Sequence, residues 1–177
     1  AFNTRTGIPR TLINLETGEC QDHNWSVGYS LLADAGSIQL EFLALALNSG
    51  QMEYWDLAET ALMAILNLSP LPNCLINYNN IIFSEKSFSL DAFGDSYFEY
   101  LVKLCLYMPR NTTSLRKYFK KAMKAAVKKL AFTSRINNLE YFATIRNTLV
   151  QHTITHLAFF LPGTLLLAAD ADEENAV

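Results

Sequence analysis

The chain has 177 residues, half of them hydrophobic and 18% charged. That composition excludes a disordered tail, and the length suffices for one domain burying roughly two thirds or more of its unfolded surface. A net charge of −3 and a pI near 5.6 give no global argument for a nucleic-acid partner.

Residues 1–30 read as loop and short extended segments, punctuated by Gly7, Pro9, Gly18 and Gly28. Ala33 to Asn48 follows as a strongly apolar helix, ended by Ser49-Gly50 with the glycine placed as a C-cap. A second helix is expected from Met52 to Leu68, carried by Tyr54, Leu57, Ala58, Leu62, Ile65 and Leu66 and stopped by Ser69-Pro70-Leu71-Pro72. Residues 74–90, rich in Ile, Asn, Phe and Ser, suit a short hairpin. A third long helix spans Asp95 to Met108, closed by Pro109.

Thr112 or Thr113 then caps a long amphipathic helix reaching Phe132. Its apolar side is Leu115, Tyr118, Phe119, Ala122, Ala126, Val127 and Leu130. Eight of the 14 Lys and Arg lie between Arg110 and Lys129; a solvated outer face is the expectation, with phosphate or membrane binding as the alternative. Residues 135–150 suit extended structure. His156 to Ala169 forms the last helix, and Asp170 to Val177 a frayed acidic end. Helix pairs alternating with short strands suggest stacked α-hairpins closed into a ring or barrel.

The longest apolar run, His156 to Ala169, is too short for a membrane span and is broken by Pro162-Gly163. No signal peptide is seen, and the chain opens Ala-Phe-Asn-Thr, as an internal fragment would. Cys20, Cys74 and Cys105 have neither metal-ligand spacing nor a disulfide framework. Sequons at Asn24, Asn67 and Asn111 permit a secretory compartment, with Pro70 weakening the second.

Chemistry concentrates in Gly94-Asp95-Ser96-Tyr97-Phe98-Glu99-Tyr100-Leu101-Val102. Asp95 and Glu99 lie one helical turn apart on one face, at a helix start that favours negative charge. The plain alternative is a capping Asp followed by a solvated Glu. Glu41 stands in an apolar helix, where a carboxylate either reaches solvent at the rim or faces a polar cavity. His156 borders another apolar segment, as a hydrogen-bonded core residue or a site residue. His23 and His152 do not pair with it at metal spacing. No Ser-His-Asp or Cys-His arrangement and no phosphate-binding glycine loop can be read.

Five blocks occur in a distinctive order: Ala1-Phe2-Asn3-Thr4 with Gly7-Ile8-Pro9; Ile13-Asn14-Leu15-Glu16-Thr17-Gly18; Leu32-Ala33-Asp34 with Ser37-Ile38-Gln39-Leu40-Glu41-Phe42; Gly94-Asp95-Ser96-Tyr97-Phe98-Glu99-Tyr100-Leu101; and His156-Leu157 with Phe160-Leu161-Pro162-Gly163-Thr164. Together they resemble glycoside hydrolase family 47, the class I alpha-1,2-mannosidases, and look most similar to the endoplasmic-reticulum type. The resemblance implies an all-α fold: part of an (α/α)7 barrel of paired helices with short β-hairpins at one end. Residues 1–177 would be a partial catalytic domain lacking the N- and C-terminal parts of the barrel.

It further implies calcium-dependent, inverting hydrolysis of terminal alpha-1,2-mannose on high-mannose N-glycans, in the endoplasmic reticulum or Golgi lumen, by a protein that could be membrane-anchored. Asp95 matches the catalytic aspartate. Glu41 and His156 match sugar-contacting positions, and Glu99 lines the same wall. The base glutamate and the calcium-anchoring threonine would lie beyond Val177, so no metal ligand is assigned within this chain. Three departures stand out. Phe93 occupies a substrate-side position where endoplasmic-reticulum members carry a branch-selecting arginine, Thr155 one where an acid usually precedes the histidine, and Phe159 one where many members have a disulfide cysteine.

Two other readings compete: a catalytically inactive glycan-binding relative of glycoprotein quality control, and a helical-repeat module whose basic helix binds an acidic partner. The isolated chain is expected not to hydrolyse glycans, to expose apolar helix faces and to self-associate.

Overall fold

The computed structural model describes residues 1–80, 86–108 and 112–173, the side chains of Thr112, Thr113 and residues 170–173 excepted. Six α-helices carry the fold: α1 (Leu32–Ala35), α2 (Gln39–Ser49), α3 (Glu53–Leu66), α4 (Asp95–Tyr107), α5 (Thr112–Leu130) and α6 (Leu161–Glu173). Helix α2 packs on α3, and α4 on α5 and α6. The strands are short antiparallel pairs: β1 (Leu12–Ile13) with β2 (Cys20–Gln21), β3 (Tyr29–Leu31) with β4 (Leu75–Asn77), β5 (Ala131–Thr133) with β6 (Glu140–Phe142), and β7 (Thr144–Arg146) with β8 (Leu149–Gln151).

The α2–α3 pair follows from its sequence. Gly50 takes φ 73°, the left-handed conformation a glycine C-cap supplies without strain, and the short link that follows turns the chain back into α3. That helix buries Trp55, Ala58, Ala61, Leu62, Ile65 and Leu66, positions at helical spacing. Helix α4 buries Tyr97, Phe98, Leu101, Val102, Leu104 and Cys105 and touches α1, α2, α5 and α6. Each large side chain so buried contributes roughly 1.5–3 kcal/mol, which makes α4 the centre of the core. Cys74 is 1% exposed, and burial pushes its thiol up to about 12.

Several expectations need correction. The helix expected from Ala33 to Asn48 is broken at Gly36-Ser37-Ile38 into α1 and α2. A Cβ on Gly36 would lie 2.6 Å from Tyr97 Cδ2, so the break lets the buried Tyr97 ring reach the backbone. The break is bridged by Gln39, fully buried, whose Nε2 donates to Ala35 O at 3.0 Å. The hairpin expected within 74–90 is instead long-range: Leu75–Asn77 pairs with Tyr29–Leu31, and Phe88 bridges to Ile145. Residues 81–85 of that segment lie outside the described residues.

On α5, Val127 is 53% exposed rather than part of the apolar side, while Leu115, Phe119, Ala122, Ala126 and Leu130 are buried. The helix ends at Leu130 because Ala131–Thr133 pairs with Glu140–Phe142. Finally, the last helix begins as a 3-10 turn over His156–Phe160 and becomes α6 only from Leu161, continuing to Glu173 where a frayed end was expected. Helix α5 already includes Thr112 and Thr113, so neither is its cap; Pro109 and Asn111 lie outside the described residues, as does the chain beyond Glu173.

Candidate active site

Asp95 is the first residue of α4, one position inside the N-cap Gly94, so it does not cap the helix. Its backbone N–H donates to Asp91 O at 3.1 Å, and its Oδ1 accepts the Ser96 N–H at 2.9 Å. Burial pushes the carboxyl above the ordinary aspartate range; the Ser96 N–H opposes this, and the charges of Asp91 and Glu99 add to it. The Gly94 position admits no side chain, because a Cβ there would lie 2.5 Å from Ser89 O.

Asp34, on α1, carries the same signature. Desolvation of its carboxyl pushes it up, His23 opposes, and the charge of Asp95 raises it further. Ser96 Oγ donates to Ala33 O at 3.4 Å, tying α1 to the start of α4. The resemblance blocks contained Asp34 without a role; its signal is a carboxyl one helix away in space that titrates under the influence of Asp95. A cleft lined by Phe2, Arg10, Asp34, Ile38 and Phe42 opens beside it. The clefts between α4, α5 and α6 are lined by none of these acids.

Glu41 is exposed in the first turn of α2 and accepts the Tyr100 hydroxyl at 2.6 Å. Burial, together with the Glu41 carboxylate, pushes that hydroxyl up to about 12. Glu99 is half-buried and pairs with Lys103 at 2.7 Å one turn further on. Thus Tyr100, Glu99 and Lys103 of α4 form a polar cluster with Glu41 of α2.

Phe93 has φ 75°, a conformation that a bulky side chain rarely adopts. Its carbonyl accepts the Ala33 N–H at 2.9 Å. Its ring lies 5.3 Å from Trp25, which stacks on His23 at 5.4 Å with 9° between planes, and the Arg146 guanidinium lies 5.7 Å from the Phe93 ring centre. Trp25 is 56% exposed. Trp25 thus presents an accessible aromatic face against Phe93, the residue two before Asp95, and a sugar ring can stack on such a face.

His156 opens the 3-10 turn and is exposed; Thr155 Oγ1 caps that turn by accepting the Leu157 N–H at 3.3 Å. The structure therefore brings Asp95, Phe93 and Asp34 together at the junction of α1 and α4, joins Glu41 to α4 through Tyr100, and presents His156 from a separate turn. Among the described residues, no three of His, Cys, Asp and Glu converge to hold a metal.

The family model for glycosyl hydrolase family 47 matches residues 1–176. Mannosyl-oligosaccharide alpha-1,2-mannosidase IA of Drosophila melanogaster is 32% identical over 173 residues, which cover 96% of this chain and 26% of that protein. Mannosyl-oligosaccharide 1,2-alpha-mannosidase IB of Homo sapiens is 33% identical, with 99% and 28% covered. The endoplasmic reticulum mannosyl-oligosaccharide 1,2-alpha-mannosidase of Schizosaccharomyces pombe is 29% identical, with 96% and 34% covered. The solved alpha-1,2-mannosidase from Trichoderma reesei superposes with a TM-score of 0.82 at 22% identity, over 96% of this chain and 36% of that one. The fold is accordingly a part of an (α/α)7 barrel, and the chain spans between about a quarter and a third of the length of these curated relatives.

Proposed function

This chain belongs to glycosyl hydrolase family 47, and we propose that it carries one wall of the active site of a mannosyl-oligosaccharide alpha-1,2-mannosidase. The observation that carries this reading is the half-buried Asp95 carboxyl of raised pKa, held at the first turn of α4 beside an open aromatic face. The substrate proposed is the terminal alpha-1,2-mannose of high-mannose N-glycans, and the compartment is the endoplasmic reticulum or Golgi lumen.

In inverting hydrolysis one carboxylic acid protonates the leaving oxygen while a second carboxylate activates water on the other face of the ring, the two standing about 6.5–9.5 Å apart. Asp95 suits the first task, because burial shifts its carboxyl toward the protonated form that a general acid uses. Trp25 and Phe93 offer the stacking face, and Glu41 and His156 the groups that bind hydroxyls. Glu99, paired with Lys103, places negative charge near Asp95 and so adds to the rise of its pKa. Among the described residues no three of His, Cys, Asp and Glu converge, so calcium is proposed from the family resemblance alone and no step is derived through it.

The test is trimming of a high-mannose glycan by the complete gene product. Asp95→Asn should lower kcat by about 10²–10⁴-fold while glycan binding persists. Wild-type-like turnover in that variant would sink the assignment. A calcium chelator in the same assay reads the metal expectation directly, since undiminished trimming would refute it.

A further inference from the structure

Asp91 is 6% exposed, and a carboxylate that deeply buried is tolerated only when its oxygens are satisfied. Both are satisfied by one residue 64 positions away. Oδ2 accepts the Thr155 N–H at 2.6 Å, and Oδ1 accepts the Thr155 hydroxyl at 2.6 Å. Such two-point, charge-assisted bonding fixes orientation as well as distance. Burial pushes the Asp91 carboxyl up, but the Thr155 hydroxyl and N–H, the Ala92 N–H and the charge of Arg146 together bring it below the ordinary range.

The backbone of the same residue faces the other way. Asp91 O accepts the N–H groups of Gly94 and Asp95, each at 3.1 Å. Its own N–H donates to Ser89 Oγ at 2.9 Å, and that oxygen lies 3.1 Å from Thr144 Oγ1 on β7. Ser89 and Thr144 are 4% and 6% exposed. On the far side, Thr155 Oγ1 also caps the turn that begins with His156.

We propose that Asp91 is a positioning residue for the hydrolytic site: its main-chain oxygen anchors the turn presenting Asp95, while its carboxylate anchors, through Thr155, the turn presenting His156. This rests on the functional reading above for its consequence, though the tie itself is independent of it. His156 is exposed and makes no side-chain hydrogen bond among the described residues, so its placement is inherited from Thr155. Thr155 is the substitutable end of the tie, because it is exposed, Ser keeps its hydroxyl, and Val removes that hydroxyl while leaving the N–H that Asp91 Oδ2 accepts.

The experiment uses the complete gene product with Asp91→Asn, Thr155→Val and Thr155→Ser. Asp91→Asn turns one acceptor into a donor facing Thr155, and Thr155→Val removes the hydroxyl. Each should lower kcat/KM for a high-mannose glycan roughly tenfold per folded molecule. Thr155→Ser should restore activity to within about twofold of wild type. Hydrogen exchange should accelerate about tenfold in peptides covering residues 153–160 of Asp91→Asn, with no glycan present.

Wild-type kcat/KM per folded molecule in both Asp91→Asn and Thr155→Val would show a fold staple only and overturn the proposal. So would equal impairment of Thr155→Ser and Thr155→Val. If the wild-type protein trims no glycan, the functional reading falls and exchange alone decides: acceleration upholds the tie, and unchanged exchange overturns it.

Discussion

The carboxyl groups at this junction are shifted in opposite directions by their surroundings. Asp95 and Asp34 are pushed up by desolvation and by negative neighbours, whereas Asp91 is brought down by the donors of Thr155. For a proton donor of raised pKa, activity is present below that pKa and is lost as pH rises through it. The alkaline limb of the kcat/KM profile should therefore belong to Asp95. Glu99→Gln removes one of the charges that raise Asp95, so the limb should move to lower pH. A pH–rate profile of that variant with an unmoved or alkaline-shifted limb would contradict the assignment of Asp95 as the acid.

At the scale of elements, the turn into α4 has no spare room. A Cβ on Gly94 would meet Ser89 O at 2.5 Å, a backbone atom that cannot swing away. Gly94→Ala should destabilise the fold by about 1–3 kcal/mol, read as a lowered denaturant midpoint; an unchanged midpoint would mean that the turn relaxes freely. The long helices α3, α4 and α5 were legible in the sequence because their apolar residues recur at helical spacing and their ends carry Gly, Pro or Thr. The break between α1 and α2 was not, since its cause is the Tyr97 ring, some 60 residues away along the chain and close only in space. The pairing of β3 with β4 was hidden for the same reason. Asp95 stood out as a candidate from its motif, and Glu41 and His156 from their oddity on apolar segments. Asp34 and Asp91 were not, because nothing local distinguishes an acid coupled to a distant carboxyl or threonine from one that is merely solvated.

Considered as a whole, the molecule leaves apolar surface in contiguous places: Leu45 and Leu47 on α2, Leu106 and Tyr107 on α4, and Leu165, Leu166 and Leu167 on α6 are 41–73% exposed. Helices apolar on more than one side are ordinarily covered on both, as in a ring of stacked α-hairpins where each pair buries its neighbour. The polypeptide of residues 1–177 expressed alone should consequently self-associate at micromolar concentration. Sedimentation velocity showing a monodisperse monomer, with a cooperative melt, would contradict this. The proposed site assigns an acid, Asp95, and no base, so hydrolysis by that polypeptide alone is not expected.

The buried thiol of Cys74 turns the molecule into its own clock. With its ionisation pushed up to about 12 and almost no surface, it presents scarcely any thiolate to an alkylating reagent while the native state lasts. Cys105 is 3% exposed and donates to Leu101 O at 3.1 Å, whereas Cys20 is partly accessible. Labelling should therefore be biphasic, one cysteine reacting at once and two at the rate at which the core opens. That slow phase measures conformational opening without any glycan, metal or enzymatic readout. Prompt modification of all three would mean that the packing around α4 is far looser than its contacts imply.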